Sequence, residues 1–136
     1  MKIVIDTNVF MAGLLKDSEV RRLLIDENIN FFLPEYAINE VEKYKTELCN
    51  KSGYSEEDFE SMISFLLENI EIVAFEQIKM YIEIAEKIMN SIDIKDAPFI
   101  ATSLAIKADG IWSFDKDFTL QSKIKVFTTT DIQKLT

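Results

Sequence analysis

The stretch Met1-Lys2-Ile3-Val4-Ile5-Asp6-Thr7-Asn8-Val9-Phe10 decides how the rest of the chain is read. Three β-branched apolar residues, Ile3-Val4-Ile5, run without alternation, the pattern of a strand buried on both faces. The run stops on a carboxylate, a hydroxyl and an amide. Val9 to Leu15 then places apolar residues at helical spacing, so the segment reads as strand, Asp-Thr-Asn, helix. In open α/β sheets ligands bind beyond the carboxyl ends of strands. Asp6, Thr7 and Asn8 are therefore candidates for a site, and not only for helix initiation.

Working outward, Asn30-Phe31-Phe32-Leu33 reads as a second short strand closed by Pro34. Ala37, Ile38, Val41 and Tyr44 follow at helical spacing, and this helix is expected to run until Lys51-Ser52-Gly53 breaks it. Ser55, with Asp58 three residues later, marks a helix start like that of a capping box, and Tyr54 is placed to staple onto Phe59. Ile72-Val73-Ala74-Phe75 is expected as a third strand, followed by a helix carrying Ile78, Tyr81, Ile82, Ala85, Ile88 and Met89. Asp96-Ala97-Pro98 opens a helix to about Ala108, because proline is tolerated in a first turn. Gly110 to Phe114 and Lys125 to Thr128 complete the strands. Strands separated by helices predict right-handed crossovers and a mainly parallel sheet of about five strands, covered on both faces. The expectation is a three-layer α/β/α fold.

Composition narrows the chemistry. The 136 residues suffice for one domain, 1–136, with a substantial core. Cys49 is the single cysteine, which excludes an internal disulfide and fits a reducing compartment. Ile3-Val4-Ile5 is too short for a signal-peptide core, and nothing approaches a membrane span, so a cytoplasmic location and no membrane partner are expected. The chain contains no histidine. That removes Ser-His-Asp and Cys-His catalysis, histidine acid–base chemistry and ordinary His-containing zinc sites. The balance of 15 Lys+Arg against 24 Asp+Glu gives a net charge of −9, which opposes non-specific binding to nucleic acid. A nucleic-acid substrate would need a local basic rim, a bridging cation, or both. Lys16, Arg21, Arg22, Lys43, Lys95 and Lys116 lie near the polar motifs and are the candidates for such a rim.

The carboxylates carry the remaining signal. Asp6 follows the first strand, Asp96 stands at a helix start shortly after Asp93, Asp115 follows the fourth strand, and Glu40 lies in the helix after the second. Each has an ordinary structural explanation. Asp6 and Asp96 suit helix N-caps, Asp115 suits a turn, Glu40 suits a solvated helix face, and Asp93 reads as structural or as support for a ligand. Together, several carboxylates converging on a cleft would repel one another and raise each other's pKa. One or two divalent cations relieve that repulsion, and oxygen ligands select Mg²⁺ or Mn²⁺ over Zn²⁺. Such ions support phosphodiester hydrolysis without histidine. Thr7 and Asn8 are then expected to orient a neighbouring carboxylate or a water at the cation.

These pieces, in this order, resemble a PIN domain over nearly the whole chain. The strand ending in Asp6-Thr7-Asn8 is similar to the family's opening motif. Leu33-Pro34 through Ile38-Asn39-Glu40-Val41 is similar to its glutamate-bearing helix. Lys95-Asp96-Ala97-Pro98-Phe99-Ile100-Ala101 is similar to its third motif, and Ile111-Trp112-Ser113-Phe114-Asp115-Lys116-Asp117-Phe118 to its fourth. The resemblance implies a metal-dependent endoribonuclease whose acidic quartet, Asp6, Glu40, Asp96 and Asp115, is catalytic and binds Mg²⁺ or Mn²⁺. It makes Asp117 the reserve metal ligand and assigns no role to the additional acid Asp93, which stays with Thr7, Asn8 and Ser113 as a candidate supporting residue. Compact PIN proteins of this size resemble VapC-type toxins, which implies an RNA substrate, a homodimer and a small antitoxin as partner.

Three other readings compete. A haloacid-dehalogenase-like phosphatase wants a second acid two residues after the first, where this chain has Asn8. A receiver domain wants a phosphoacceptor aspartate at the end of its third strand, where this chain has Ile72-Val73-Ala74-Phe75. A PIN-fold module that binds RNA or protein without cutting is the remaining alternative, and the four intact acids argue against it.

Overall fold

A computed structural model describes residues 1–15 and 18–136, with Ser18 described by its backbone alone. Five strands form one sheet: β1 (Lys2–Ile5), β2 (Asn30–Pro34), β3 (Ile70–Val73), β4 (Gly110–Trp112) and β5 (Val126–Phe127). Their order across the sheet is β3-β2-β1-β4-β5, and every neighbouring pair is parallel. Ile3, Val4 and Ile5 are fully buried, as an apolar run flanked by strands and helices must be.

The crossovers are helical. Between β1 and β2 run α1 (Thr7–Leu14) and α2 (Ser18–Leu24), and between β2 and β3 run α3 (Glu35–Lys43), α4 (Lys45–Ser52) and α5 (Glu56–Leu67). Between β3 and β4 run α6 (Phe75–Ile78), α7 (Ile82–Met89) and α8 (Ala97–Ile106), with 3₁₀ turns at Lys79–Tyr81 and Ile94–Asp96. A third 3₁₀ turn, Lys116–Leu120, leads to β5, and α9 (Thr129–Gln133) follows it. The path from β1 through β2 to β3 moves one way across the sheet, then returns past β1 to β4. Right-handed crossovers in opposite directions put their helices on opposite faces. On one side α1 packs with α2 and α5; on the other α8 covers β1, β2 and β4, with α6 and α7 against it. The sheet therefore lies between two helical layers, and the chain reverses direction between β1 and β4.

Several local expectations are met in detail. The Ser55 hydroxyl accepts a hydrogen bond from the Asp58 N–H, and the Tyr54 and Phe59 rings lie 6.5 Å apart across the first turn of α5. Others require correction. The third strand starts two residues earlier than Ile72 and ends at Val73. The Ala74 N–H instead donates to the Gln77 side chain, which starts α6, so Phe75 is helical and exposed. The long helix after Pro34 is divided at Tyr44, whose N–H still bonds back to the Glu40 carbonyl before α4 begins. Tyr44, expected on the apolar face, is exposed.

Two glycines show different constraints. Gly53 ends α4 at φ +78°, with nothing within 4 Å of where a Cβ would stand. Gly110 starts β4 so close to β5 that a Cβ would come within 2.4 Å of the Phe127 ring and 2.6 Å of the Lys125 carbonyl oxygen. Gly53→Ala is therefore expected to cost about 1 kcal/mol through backbone strain. Gly110→Ala should cost more, about 1–3 kcal/mol, because it must push β5 and its aromatic ring away. Urea denaturation of the two variants measures the difference, and equal costs would refute the close-approach argument.

Candidate active site

The site begins where β1 ends. Asp6 is the N-cap of α1, and its Oδ1 accepts the Val9 N–H at 2.9 Å. Its other oxygen, Oδ2, accepts a short hydrogen bond from the Ser113 hydroxyl, just beyond β4. The Asp6 N–H in turn donates to the Trp112 carbonyl, so β1 and β4 deliver Asp6 and Ser113 side by side. Asp6 is only 4% exposed. Burial pushes its carboxyl up, against the hydrogen bonds from Ser113 and Val9 that favour the charged form, with Asp115 adding a smaller push upward. The helix-cap reading of Asp6 is thus correct, and it coexists with a place in the cleft.

The remaining residues are brought in by separate elements. Thr7 is buried and donates its hydroxyl proton to Glu40 Oε1 on α3 at 2.7 Å. It therefore orients a carboxylate from another element, not its neighbour Asp6. Asn8 is exposed on the cleft wall. The Ser113 hydroxyl also accepts the Asp115 N–H, and Asp115 Oδ1 accepts the Asp117 N–H at 2.8 Å, which turns the chain after β4. Asp93 uses Oδ1 to accept the Lys95 N–H and so begins the turn that leads to α8.

Asp96 differs from all of these. It occupies the N-cap position of α8 but makes no side-chain cap, with φ −87° and ψ −3°. Its Oδ2 is buried, and no described residue donates a hydrogen bond to it. Burial, then the carboxylates of Asp93, Asp115, Asp6 and Asp117, push its pKa up to about 7. A buried oxygen without a donor is costly and calls for a cation or a proton.

The expected quartet lines one cleft of about 320 Å³, with Asp6, Glu40, Asp96 and Asp115 all on its wall. Among the described residues, the carboxylate oxygens that approach within 4.8 Å of one another are those of Asp93, Asp96 and Asp117. The two sets overlap at Asp96. Asp93, read from sequence as support, therefore stands among the acids able to share a cation. The all-oxygen donor set and the orphaned Asp96 oxygen fit a hard divalent ion.

The proposed basic rim is redistributed. Arg21 donates from Nε to the Gly13 carbonyl and from its guanidinium to Leu14 and Tyr54, closing the end of α1. Arg22 pairs with Glu19 at 2.9 Å. Lys95 lines the acidic cleft, Lys43 lies over the Tyr44 ring, and Lys116 lines a neighbouring cleft with Phe114. Lys16 lies outside the described residues. Four cleft residues were not singled out for the site from sequence, Met11, Phe99 and the two tyrosines Tyr36 and Tyr44. For the tyrosines, the spacing around Glu40, four residues on either side, was the available signal.

No curated protein matches the chain. A chain of the crystal structure of VapBC2 from Rickettsia felis, bound to a DNA fragment from their promoter, has the same fold with a TM-score of 0.72. It is 17% identical, and the match covers 94% of this chain and 98% of that one. The family model of the PIN domain matches residues 4–134, which include every acid described above. The motif order, the parallel sheet and that match agree: the chain belongs to the PIN domain family.

Proposed function

We propose that this chain is a Mg²⁺- or Mn²⁺-dependent endoribonuclease that hydrolyses RNA phosphodiester bonds in the acidic cleft. The observation that carries the reading is Asp96 Oδ2, a buried carboxylate oxygen without a protein donor, facing four other acids. Asp6, Asp96 and Asp115 are the proposed ligands, completed by Glu40 and by Asp117 and Asp93 beside Asp96. The bound cation would polarise a phosphoryl oxygen and offset charge on the leaving alkoxide. Asp6 is held in place by Val9 and Ser113, Glu40 by Thr7, and Asp115 by Asp117, so these three carboxylates are oriented before substrate arrives. Membership in the PIN family and the likeness to VapBC2 support a further part of the reading, that the chain is a toxin restrained by a small antitoxin protein. The exposed apolar side chains Phe75, Met80 and Ile84 support a homodimer. Among the described residues no helix is long and apolar enough to cross a membrane.

Thermal unfolding across a Mn²⁺ titration tests the cation site without any assumption about substrate. Wild type should gain about 1.4 kcal/mol of stability at ten times Kd, and Asp96→Asn should lose most of that gain. A flat response in wild type would remove the cation site and favour a PIN-fold module that binds without cutting.

The cation-free chain should also carry a pH signature. Asp96 titrates near 7 when folded against 3.8 as its ordinary value. Between these values the folded chain binds more protons than the unfolded one, so stability falls as pH rises from about 4 to about 7. Asp6, also raised by burial, contributes with the same sign. Urea midpoints in EDTA across this window measure the slope, and Asp96→Asn should flatten it. A slope unchanged in that variant would refute the assignment.

For cleavage in Mn²⁺, Asp6→Asn should abolish activity, whereas Thr7→Val should weaken cation affinity or cleavage about 10- to 100-fold by releasing Glu40. Wild-type cleavage by Asp6→Asn would end the mechanism.

A further inference from the structure

The acidic cleft has an aromatic border that none of the acid chemistry requires. Tyr36 and Tyr44 both line it, and both also line the adjoining recess formed with Asn39 and Lys43. Tyr36 is 37% exposed and Tyr44 43%, although each ring is large enough to be worth burying. The four-residue spacing Tyr36, Glu40, Tyr44 puts all three on one helical face, with Asn39 and Lys43 beside them. The N–H of Tyr44 bonds to the Glu40 carbonyl, so the helical path continues to the second ring.

The two rings are held differently. Tyr36 packs edge-on against Phe99 at 6.1 Å between centroids. Tyr36 lines the cleft together with Glu40 and Asp96. Tyr44 stands at the joint between α3 and α4, with Lys43 Nζ 5.5 Å from its ring centre. Between the rings sits Glu40, fixed by Thr7.

We propose that Tyr36 and Tyr44 form a base-stacking site that holds unpaired nucleotides on either side of the scissile phosphate. The inference rests on the ribonuclease reading for the phosphate's place in the cleft and adds a site for the bases. A phosphodiester drawn to the acids enters a cleft that both rings line, so its flanking bases are placed to meet them. Stacking is insensitive to sequence and does not depend on net charge, which suits a chain carrying −9. Lys43 supplies a cation for an adjacent phosphate, and Asn39 supplies an amide for a base edge. From Tyr36 to Tyr44 the helical path advances eight residues, about 12 Å along its axis. Stacked neighbours on one strand of a duplex are only about 3.4 Å apart. The rings therefore suit bases splayed away from each other, which a duplex does not offer.

The test is fluorescence anisotropy of the full chain with a fluorescein-labelled hexaribonucleotide in Ca²⁺. Two controls share its length: the same sugar–phosphate chain without bases, and a blunt RNA duplex. The base-containing single strand should bind at least tenfold more tightly than either control. Tyr44→Ala and Tyr36→Leu, the latter chosen to keep packing against Phe99, should each remove about tenfold of that preference and leave the abasic chain's affinity unchanged. Equal binding of the base-containing and abasic chains, parallel weakening of both in the variants, or duplex binding as tight as single-strand binding would overturn the proposal. Failure to bind any of the three would do the same. Cleavage in Mn²⁺ separates this result from the parent reading. Cleavage without base-dependent binding discards the stacking site and keeps the nuclease. Base-dependent binding lost in the tyrosine variants, without cleavage by wild type, keeps the stacking site and discards the nuclease.

Discussion

The Asp6 carboxylate is the tie on which the arrangement depends. One oxygen caps α1 through Val9, and the other takes the Ser113 hydroxyl from the chain leaving β4. Because Ser113 also accepts the Asp115 N–H, the same contact chain reaches the turn that carries Asp115 and Asp117. A strand end, a helix start and a neighbouring strand end are thereby locked around one buried charge. These bonds favour the charged carboxylate, whereas burial disfavours it. The balance leaves Asp6 costly to keep in an empty cleft and well placed beside a cation.

The topology explains why the acids meet at this point. β1 and β4 are the neighbours across which the chain reverses direction, and an open α/β sheet parts there to leave a crevice. Asp6 and Asp115 come from the two sides of that crevice. Asp96 enters from the start of α8, which lies over β1, β2 and β4, and Glu40 enters from α3. Four separate elements thus contribute one carboxylate each, and only the fold brings residues as distant as Asp6 and Asp115 together.

Much of this was legible in the sequence where local chemistry is unambiguous. Lys2 to Ile5 is bounded by an apolar run and an abrupt polar stop, and the strand matches it to the residue. Ser55 and Asp58 likewise marked the start of α5. The third strand slipped by two residues because Ile70 to Phe75 is nearly continuous in apolar character. What ends the strand is the Gln77 side chain bonding back to Ala74, a contact that hydropathy does not encode. The break at Tyr44 was invisible for a similar reason, since helical spacing continues through it. The acids of the cleft were found by type and position, but their grouping was not. Asp93 and Asp117 meet Asp96 through two separate 3₁₀ turns, and turns carry no periodicity from which to read a distance. Arg21 was a candidate for the basic rim, yet its bonds to Gly13, Leu14 and Tyr54 give it a structural role.

The short outer strands of the sheet have a consequence for assembly. β5 contributes two residues, Val126 and Phe127, and β3 contributes four, with Glu71 exposed among them. Brief edges interrupted by charge offer little backbone for an incoming strand to pair with, which protects the chain against edge-to-edge aggregation. The same economy limits how a partner can attach. Extension of the sheet has few rungs to build on, so association must work through helix surfaces, where side chains rather than backbone decide who fits.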